Sequence, residues 1–269
     1  MNKSEISLER KSYLRKIRNK KILVLLSQVS ILALFLILWE VLANNKIIDS
    51  FITSQPSRIL NTFMNLGSND LLKHIWVTTY ETVIGFLLGT LLGTIIAIIL
   101  WWSDFLSQVA EPFLVVLNSL PKVALGPIII IWVGAGTPAI IVMAVAISLI
   151  VTILENLNGF LKTDKEFIKM ANTFHANRWQ ILTKIVIPAN LSTFINSLKV
   201  NIGLSLVGVI SGEFLVSKAG LGYLIVYGGQ VFKLDLVMTS VIILGIVAGL
   251  MYGLVLLLEK FILSSKKFK

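Results

Sequence analysis

The feature that most constrains the fold is a run of 32 residues, 123–154, that contains no charged side chain. A helix needs about 20 apolar residues to cross the hydrocarbon core of a bilayer, so this run is too long for one span. The segment 134–138, Gly-Ala-Gly-Thr-Pro, divides it, because Gly and Pro favour a turn. We therefore predict two membrane-spanning helices here, at about 112–133 and 138–158.

Four further apolar runs complete the pattern, at about 22–43, 75–102, 191–216 and 236–263. Only 14% of the residues are charged, whereas a soluble domain has roughly a quarter. The sequence therefore predicts an all-α, polytopic membrane protein with six transmembrane helices. The net charge of +10 does not indicate nucleic-acid binding, because the basic residues lie at the ends of the apolar runs.

The distribution of Lys and Arg predicts the orientation. The tail 1–21, the loop 159–187 and the C-terminal end from Lys260 carry eight, five and four of them, whereas the loops 44–74 and 217–235 carry three and two. Because positive residues concentrate on the cytoplasmic side, we expect both termini, including the tail 264–269, and the loop 159–187 to lie in the cytoplasm. The loop 44–74 is then external, and the protein is a multi-pass protein of the cell (plasma) membrane.

The loop 159–187 carries apolar residues in a helical pattern. Phe167, Met170, Ala171 and Phe174 follow i, i+3, i+4, i+7 spacing, which places them on one face of a helix. An apolar face on a loop in water must be covered. The residues alone leave two interpretations open: a helix on the membrane surface or under the bundle, or a helix that binds a partner.

Part of this loop matches a known signature. The segment 169–188, KMANTFHANRWQILTKIVIP, resembles the EAA loop of ABC importer permeases. That signature is Glu-Ala-Ala, three residues, Gly, nine residues, Ile, one residue, Leu, Pro. Ala171, Ile185 and Pro188 match the signature. The number of residues from position 175 to Ile185 and Pro188 is also the one that the signature requires.

The loop departs from the signature in its first half. Lys169 and Met170 stand where Glu and the first Ala are usual, and His175 stands where the Gly is usual. Gly normally permits a sharp turn at that position. The His at position 175 therefore leaves open how the helix docks onto its partner.

Other segments extend the resemblance over about 75–263, the expected permease core. They are 121–127 (PKVALGP), 177–180 (NRWQ), 211–214 (SGEF) and 219–225 (AGLGYLI). Together they are similar to the branch of ABC importer permeases that takes up sulfonates, taurine, nitrate and related small solutes. The resemblance implies a type I ABC importer permease fold.

The resemblance also implies partners. Helix 165–176 would be a coupling helix that inserts into a cytoplasmic ABC ATPase, present in two copies, and an extracytoplasmic solute-binding protein would deliver the solute. The permease would pair with a second copy of itself in membrane lipid. ATP and Mg would bind the partner ATPase and no cofactor would bind this chain, which lacks the Gly-Lys pair of a P-loop. The coupling residues implied are Phe167, Lys169, Met170, Ala171, Phe174, His175, Ile185 and Pro188.

Charged residues inside the spans are candidates for the translocation pathway. Lys122 lies between Pro121 and Pro127, and a lone cation in mid-membrane either attracts an anionic substrate or reaches a bilayer face or a carboxylate. Glu213 is expected near the outer mouth. Lys199 is expected to extend toward the cytoplasm, and Glu81 is expected to be in water near a span end.

Small residues recur every four positions in the second span, at 85, 89, 93 and 97. They mark either a dimer seam or, as we prefer, close packing within one chain.

Enzymes are disfavoured. The two histidines, His74 and His175, lie in loops on opposite sides, so no metal site and no intramembrane Ser–His pair is expected. The remaining alternative is a stand-alone channel or secondary transporter, which would not need an amphipathic cytoplasmic helix.

Overall fold

The computed structural model describes residues 8–65 and 70–266 and divides into two units, 1–64 and 65–269. The first seven residues of the predicted tail 1–21 and the last three of the tail 264–269 lie outside the described residues. Every regular element in the described part is a helix. The predicted all-α fold is therefore confirmed.

The first unit consists of one long helix and two short ones. They are α1 (Leu8–Asn44), α2 (Ser50–Thr53) and α3 (Pro56–Met64). Asp49 caps α2, because its Oδ1 accepts the N–H of Phe51 at 2.8 Å. Glu40, near the end of α1, accepts the N–H and the hydroxyl of Ser57 at 3.0 and 2.9 Å. The predicted loop 44–74 thus contains helical structure, which begins six positions after the end of α1.

The second unit holds ten helices in its described residues. They are α4 (Leu71–Trp101), α5 (Asp104–Ser119), α6 (Gly126–Val133), α7 (Thr137–Leu161), α8 (Lys165–Thr173), α9 (Arg178–Ile181), α10 (Ile187–Ala189), α11 (Leu191–Val216), α12 (Leu221–Gln230) and α13 (Leu234–Lys266). A 3₁₀ turn (Lys122–Leu125) precedes α6, and a π-helical turn (Leu182–Val186) joins α9 to α10.

Among the described residues, five helices are long and apolar enough to cross a membrane, and the pair α5–α6 brings the number to six if it counts as one span. That pair is bent by 87°. The bend lies at Pro121, which lacks an N–H and so cannot continue the helical hydrogen-bond ladder. The predicted third span, 112–133, therefore corresponds to a bent pair of helices that begins earlier, at Asp104.

Helices α4, α7 and α11 form the centre of the second unit. Gly85 and Gly93 of α4 face Ala144 and Thr152 of α7 so closely that an added Cβ would lie 2.6 Å from each of those Cβ atoms. Small residues permit such backbone approach between membrane helices. The glycines of α4 therefore pack within the chain, as the preferred interpretation held.

Polar side chains cross-link the same three helices. Asn156 of α7 donates to the Thr94 hydroxyl of α4 at 3.0 Å, and Asn201 of α11 donates to the hydroxyl of Thr152 and to that of Thr90, the latter at 3.5 Å. Such interhelical hydrogen bonds stabilise helix association where no water competes.

The predicted Gly-rich loop 217–235 contains a helix, α12, that sequence reasoning missed. Leu221 and Leu224 of α12 are buried in one cluster with Leu71 of α4 and with Leu236 and Ile243 of α13. We call the end of the bundle near these residues the α12 end, and the end where α8 lies the α8 end.

Candidate functional site

The helix α8 and the residues after it form the candidate site at the α8 end. Asp164 begins the helix, because its Oδ1 accepts the N–H of Glu166 at 2.8 Å. This N-cap satisfies one of the free N–H groups of the first turn. The acidic residues at the start also suit the positive end of the helix.

Helix α8 has two faces with different surroundings. Ile168 and Ala171 pack inward, and Ala171 is buried. Phe167, Met170 and Phe174 point away from the bundle, with 54%, 51% and 78% of their surfaces exposed. The four residues predicted to share one face therefore separate into three that form an exposed apolar patch, here called the α8 patch (Phe167, Met170, Phe174), and one that anchors the helix.

The end of α8 is a Schellman turn with an unusual residue at its left-handed position. His175 has φ +54, its N–H bonds to Asn172 O at 2.9 Å, and the N–H of Ala176 bonds to Ala171 O at 3.0 Å. This is the 6→1 and 5→2 pattern that Gly usually completes. The turn that a Gly would make is thus formed by an exposed His at a conformational cost.

Three contacts fix the chain immediately after the turn. Asn177 and Gln180 form a capping box at the start of α9, with bonds of 2.8 and 2.9 Å. The Arg178 guanidinium donates to the carbonyl oxygen of Trp102, at the end of α4. The rings of Trp102 and Trp179 lie 6.4 Å apart.

The three remaining predicted loop residues differ in their surroundings, and one of them helps to anchor α8. Ile185 packs against a buried cluster that includes Ala171, Leu157 and Phe160, while Pro188 lies in the short helix α10 and is exposed. Lys169 is exposed beside the α8 patch.

The two ends of the segment are also joined. Asn190 donates to the Thr163 hydroxyl at 2.7 Å and to Val186 O at 2.9 Å. The α8 patch is therefore presented to solvent by a helix that is tied to α4, α7 and α11.

The two predicted pathway residues occupy different places. Lys122 is half-buried at the bend between α5 and α6, where its Nζ donates to Asn118 O at 2.9 Å and to Asn118 Oδ1 at 3.3 Å. Glu213 is buried at the α12 end and accepts from the Thr78 hydroxyl and the N–H of Gly222. No hydrogen bond or ion pair joins these two side chains.

In the part of the chain that the structure describes, no group of three or more His, Asp or Glu side chains could hold a metal ion. The α8 end presents an exposed apolar patch on a helix whose opposite face is anchored in the bundle by Ala171.

A comparison with models of protein families shows which family the chain belongs to. Residues 89–265 match the model of the binding-protein-dependent transport system inner membrane component. The chain belongs to this family of ABC importer permeases. The predicted family is therefore confirmed, and the match includes α8, the α5–α6 bend and α12.

Relatives of this permease are themselves named as permeases. A probable ABC transporter permease protein of Haemophilus influenzae is 30% identical over 89% of this chain and 98% of the relative. A riboflavin transport system permease protein of Chloroflexus aurantiacus is 30% identical over 85% and 86%. A putative aliphatic sulfonates transport permease protein of Bacillus subtilis is 25% identical over 86% and 84%.

A solved structure shares the fold of this permease. The inward-facing MetNI methionine ABC transporter superposes with a TM-score of 0.62 at 18% identity, over 69% of this chain and 92% of that chain. The predicted type I importer permease fold is confirmed.

Sequence reasoning missed one group of residues at the opposite end of the permease. Glu81, expected in water near a span end, is buried with 1% of its surface exposed, so that expectation was wrong. His74 and Thr78, on the same side of α4, bond to the N–H groups of Gly220 and Leu221 at the start of α12. The spacing of polar residues at 74, 78, 81 and 82 was the available signal, since i, i+4, i+7 and i+8 share one helical face.

Proposed function

We propose that this permease is the membrane-spanning subunit of an ATP-driven importer that moves a small, anionic solute into the cytoplasm by alternating access. The observation that carries the proposal is the α8 patch, three large apolar side chains exposed on a helix whose opposite face is anchored in the bundle. An exposed apolar patch on a helix that is anchored by packing is typical of an interface with another protein.

The orientation follows from the charge distribution. Within the second unit, the loop 159–187 and the C-terminal end from Lys260 carry nine Lys and Arg residues, whereas the loop 217–235 carries two, which favours placing the α8 end in the cytoplasm. The tail 1–21 carries eight, which favours a cytoplasmic N-terminus as well. The α12 end is then external. This orientation puts the α8 patch on the side of the membrane where ATP is available.

The partners follow from the family and the patch. A cytoplasmic ATPase would receive the α8 patch in a groove, and two permease copies with two ATPases would form the working unit. The family takes its name from binding-protein-dependent transport, so an extracytoplasmic solute-binding protein would dock at the α12 end. We propose that the second permease is a copy of this chain, in which case both α8 patches contact identical partners.

The anionic class of the solute rests on Lys122. Its ammonium group lies at a helix break inside an apolar span, and its hydrogen bonds go to Asn118 at the end of α5. An intramembrane cation without an acidic partner costs free energy that a passing anion would recover. Aliphatic sulfonates, the class in the name of the Bacillus subtilis relative, fit this requirement. Taurine, which carries a sulfonate group, and nitrate, an anion, offer the same kind of negatively charged oxygens.

The alternative function is a stand-alone channel or secondary transporter. A protein of that kind has no ATPase partner, so only the membrane surface could cover the α8 patch. The tie from Arg178 to the end of α4 and the buried position of Ala171 favour a helix that transmits force from a protein partner.

The decisive experiment substitutes Phe174, the most exposed member of the α8 patch. Phe174→Asp places an unpaired charge in the interface, and we expect loss of the co-purifying ATPase by a factor of about thirty or more in affinity, together with loss of uptake. Membrane abundance should stay normal, because Phe174 has few contacts within the chain.

Phe232→Asp is the matched control. Phe232 is 70% exposed in the turn after α12, at the opposite end of the bundle. The ATPase should still co-purify with this variant. Normal co-purification and normal uptake with Phe174→Asp would overturn the coupling role of α8.

A further inference from the structure

Glu81 is a buried carboxyl group for which the proposed transport cycle has no use. It lies on α4, 1% of its surface is exposed, and neither carboxyl oxygen has a hydrogen-bond partner of standard geometry. Its polar neighbours are the Thr137 hydroxyl and the carboxyl group of Glu213. An ionised carboxylate buried in this way carries a large desolvation cost, whereas a protonated one is neutral and can donate.

Glu213, by contrast, is surrounded by donors. Its Oε1 accepts from the Thr78 hydroxyl at 2.6 Å, and its Oε2 accepts from the N–H of Gly222 at 2.5 Å. Thr78 also accepts the N–H of Leu221 at 2.7 Å, so its single proton is committed to Glu213. Donors at both oxygens, together with the positive end of the ten-residue helix α12, favour the ionised form of Glu213.

The surroundings supply no cation. The titratable groups near the pair are His74 of α4, whose Nδ1 accepts the N–H of Gly220 at 2.8 Å, and Tyr223 of α12, whose ring stacks on His74. Helix α7 contributes only the Thr137 hydroxyl, and α11 contributes Glu213 itself. No Lys or Arg forms an ion pair with either carboxyl group in the described part of the chain.

Two neighbouring carboxyl groups in an apolar site tend to hold one proton between them, because ionising both side by side carries a large free-energy cost. We propose that Glu81 is protonated and donates to ionised Glu213, so that the pair is a buried proton-binding site that locks the start of α12 onto α4 and α11. The proton stays on Glu81, and Glu213 keeps its two acceptor oxygens for Thr78 and α12.

The backbone of α12 lies directly against Glu213. A Cβ added at Gly222 would lie 2.8 Å from Glu213 Oε2, and one added at Gly220 would overlap the carboxyl group. The start of α12 is therefore in immediate contact with the pair and would respond to a change in its charge.

The attachment of α12 to α4 and α11 through this pair should weaken as the pH rises. While the pair holds one proton it carries one negative charge, and the start of α12 is held. As the pH rises, Glu81 loses this proton and becomes an anion beside Glu213, and the repulsion between them loosens α12. With the orientation proposed above, this change takes place at the external end.

Infrared spectroscopy of the full chain in lipid nanodiscs tests the proton directly. The carbonyl stretch of a protonated carboxyl group is separate from the bands of carboxylates. We expect Glu81→Gln to remove a protonated-carboxyl band that Glu213→Gln retains, and Glu111→Gln, at an exposed position, to change nothing in that band. A loss of carboxylate bands with Glu81→Gln, or a protonated band lost only with Glu213→Gln, would overturn the assignment.

Hydrogen exchange of a peptide covering 217–231 tests the lock. Gln at position 81 is a neutral donor, so Glu81→Gln should protect α12 at every pH. The wild type should lose that protection as the pH rises, after correction for intrinsic exchange. Glu213→Gln should exchange on the order of tenfold faster or more, because it removes a charged acceptor.

Identical pH profiles for the wild type and Glu81→Gln, or wild-type protection in Glu213→Gln, would overturn the lock. Neither readout depends on uptake or on an ATPase. The proposed transport function and the proton site can therefore fail independently.

Discussion

Lys199 of α11 and Glu259 of α13 form an ion pair, with 2.8 Å between Nζ and Oε2. The sequence predicted that Lys199 would extend toward the cytoplasm and did not identify Glu259 as its partner. Glu259 lies 60 positions away in the sequence, and only the packing of α13 against α11 makes it available. The pair lies beside a cleft of about 330 Å³ lined by Ile202, Gly203, Leu206, Ala248, Gly249, Met251 and Tyr252.

This pair should show coupling in a double-mutant cycle. Lys199→Met leaves the Glu259 carboxylate without its partner, and Glu259→Gln leaves the ammonium group without its own. We expect each single variant to lower the melting temperature in detergent and the double variant to recover part of the loss, with a coupling free energy of about 1 kcal/mol. Additive losses would show that the pair contributes nothing to stability.

The orientation can be checked with single cysteines, because the chain has none of its own. Cysteines at Asn45 and Lys218, both exposed, should react with an impermeant thiol reagent added to intact cells. A cysteine at Asn172, equally exposed on α8, should react only after the cells are opened. Labelling of position 172 from outside would reverse the orientation and remove the ATPase from the α8 patch.

His175→Gly tests what the unusual turn requires. Because His175 has φ +54, a Gly at this position should relieve about 1 kcal/mol of backbone strain and leave α8 in place. We expect unchanged uptake and ATPase co-purification, and a small rise in thermal stability. His175→Val should have the opposite effect, because a β-branched residue is least tolerant of this conformation. A large loss of uptake with Gly would mean that the imidazole itself contacts the ATPase.

Lys122→Gln tests the anionic substrate class. It removes the charge at the α5–α6 bend but keeps a polar side chain that can still donate to Asn118. If the ammonium group attracts the solute, uptake should fall roughly tenfold or more while the basal ATPase rate changes little. Lys122→Arg keeps the charge and should retain much of the uptake. Equal uptake by the wild type and both variants would favour a structural role for Lys122 and would contradict the proposal that the solute is an anion.

Gly89→Val tests the close packing of α4 against α7. A Cβ at Gly89 would meet the Ser148 side chain, and an overpacked core typically costs about 1–3 kcal/mol. Gly249→Val on α13 is the matched control, because nothing lies within 4 Å of the Cβ it would add. We expect low abundance and a lower melting temperature for Gly89→Val, and near-normal values for Gly249→Val. Similar behaviour of the two variants would contradict the packing argument.

Elements governed by hydropathy were predictable from the sequence. The fifth span was expected at 191–216, and α11 occupies Leu191–Val216, because a long apolar run between polar segments leaves a helix few alternatives. The α8 patch was likewise visible as a spacing pattern. Its division into exposed and anchoring residues was not, since the inward position of Ala171 depends on the distant residues Leu157 and Phe160.

Features set by contacts between distant segments were missed. Glu81 was expected in water, because a charge near the end of an apolar run normally marks the membrane surface. It is buried because Glu213, 132 positions later, and Thr137 lie next to it. Helix α12 was missed for a local reason as well: its glycines at 222, 228 and 229 indicate a loop, yet buried Leu221 and Leu224 hold it as a helix against α13.

The 87° bend at Pro121 also bears on how the chain enters a membrane. Helix α5 has 16 residues and α6 has eight, so they extend about 24 and 12 Å, and neither covers the roughly 30 Å of hydrocarbon. A broken helix leaves carbonyl and N–H groups unpaired at the break, so it partitions poorly into lipid on its own. Helix α7, 25 residues long and strongly apolar, follows after only three residues. The translocon should therefore have to hold α5 and α6 until α7 emerges and release the three together, which makes biogenesis of this region a concerted step.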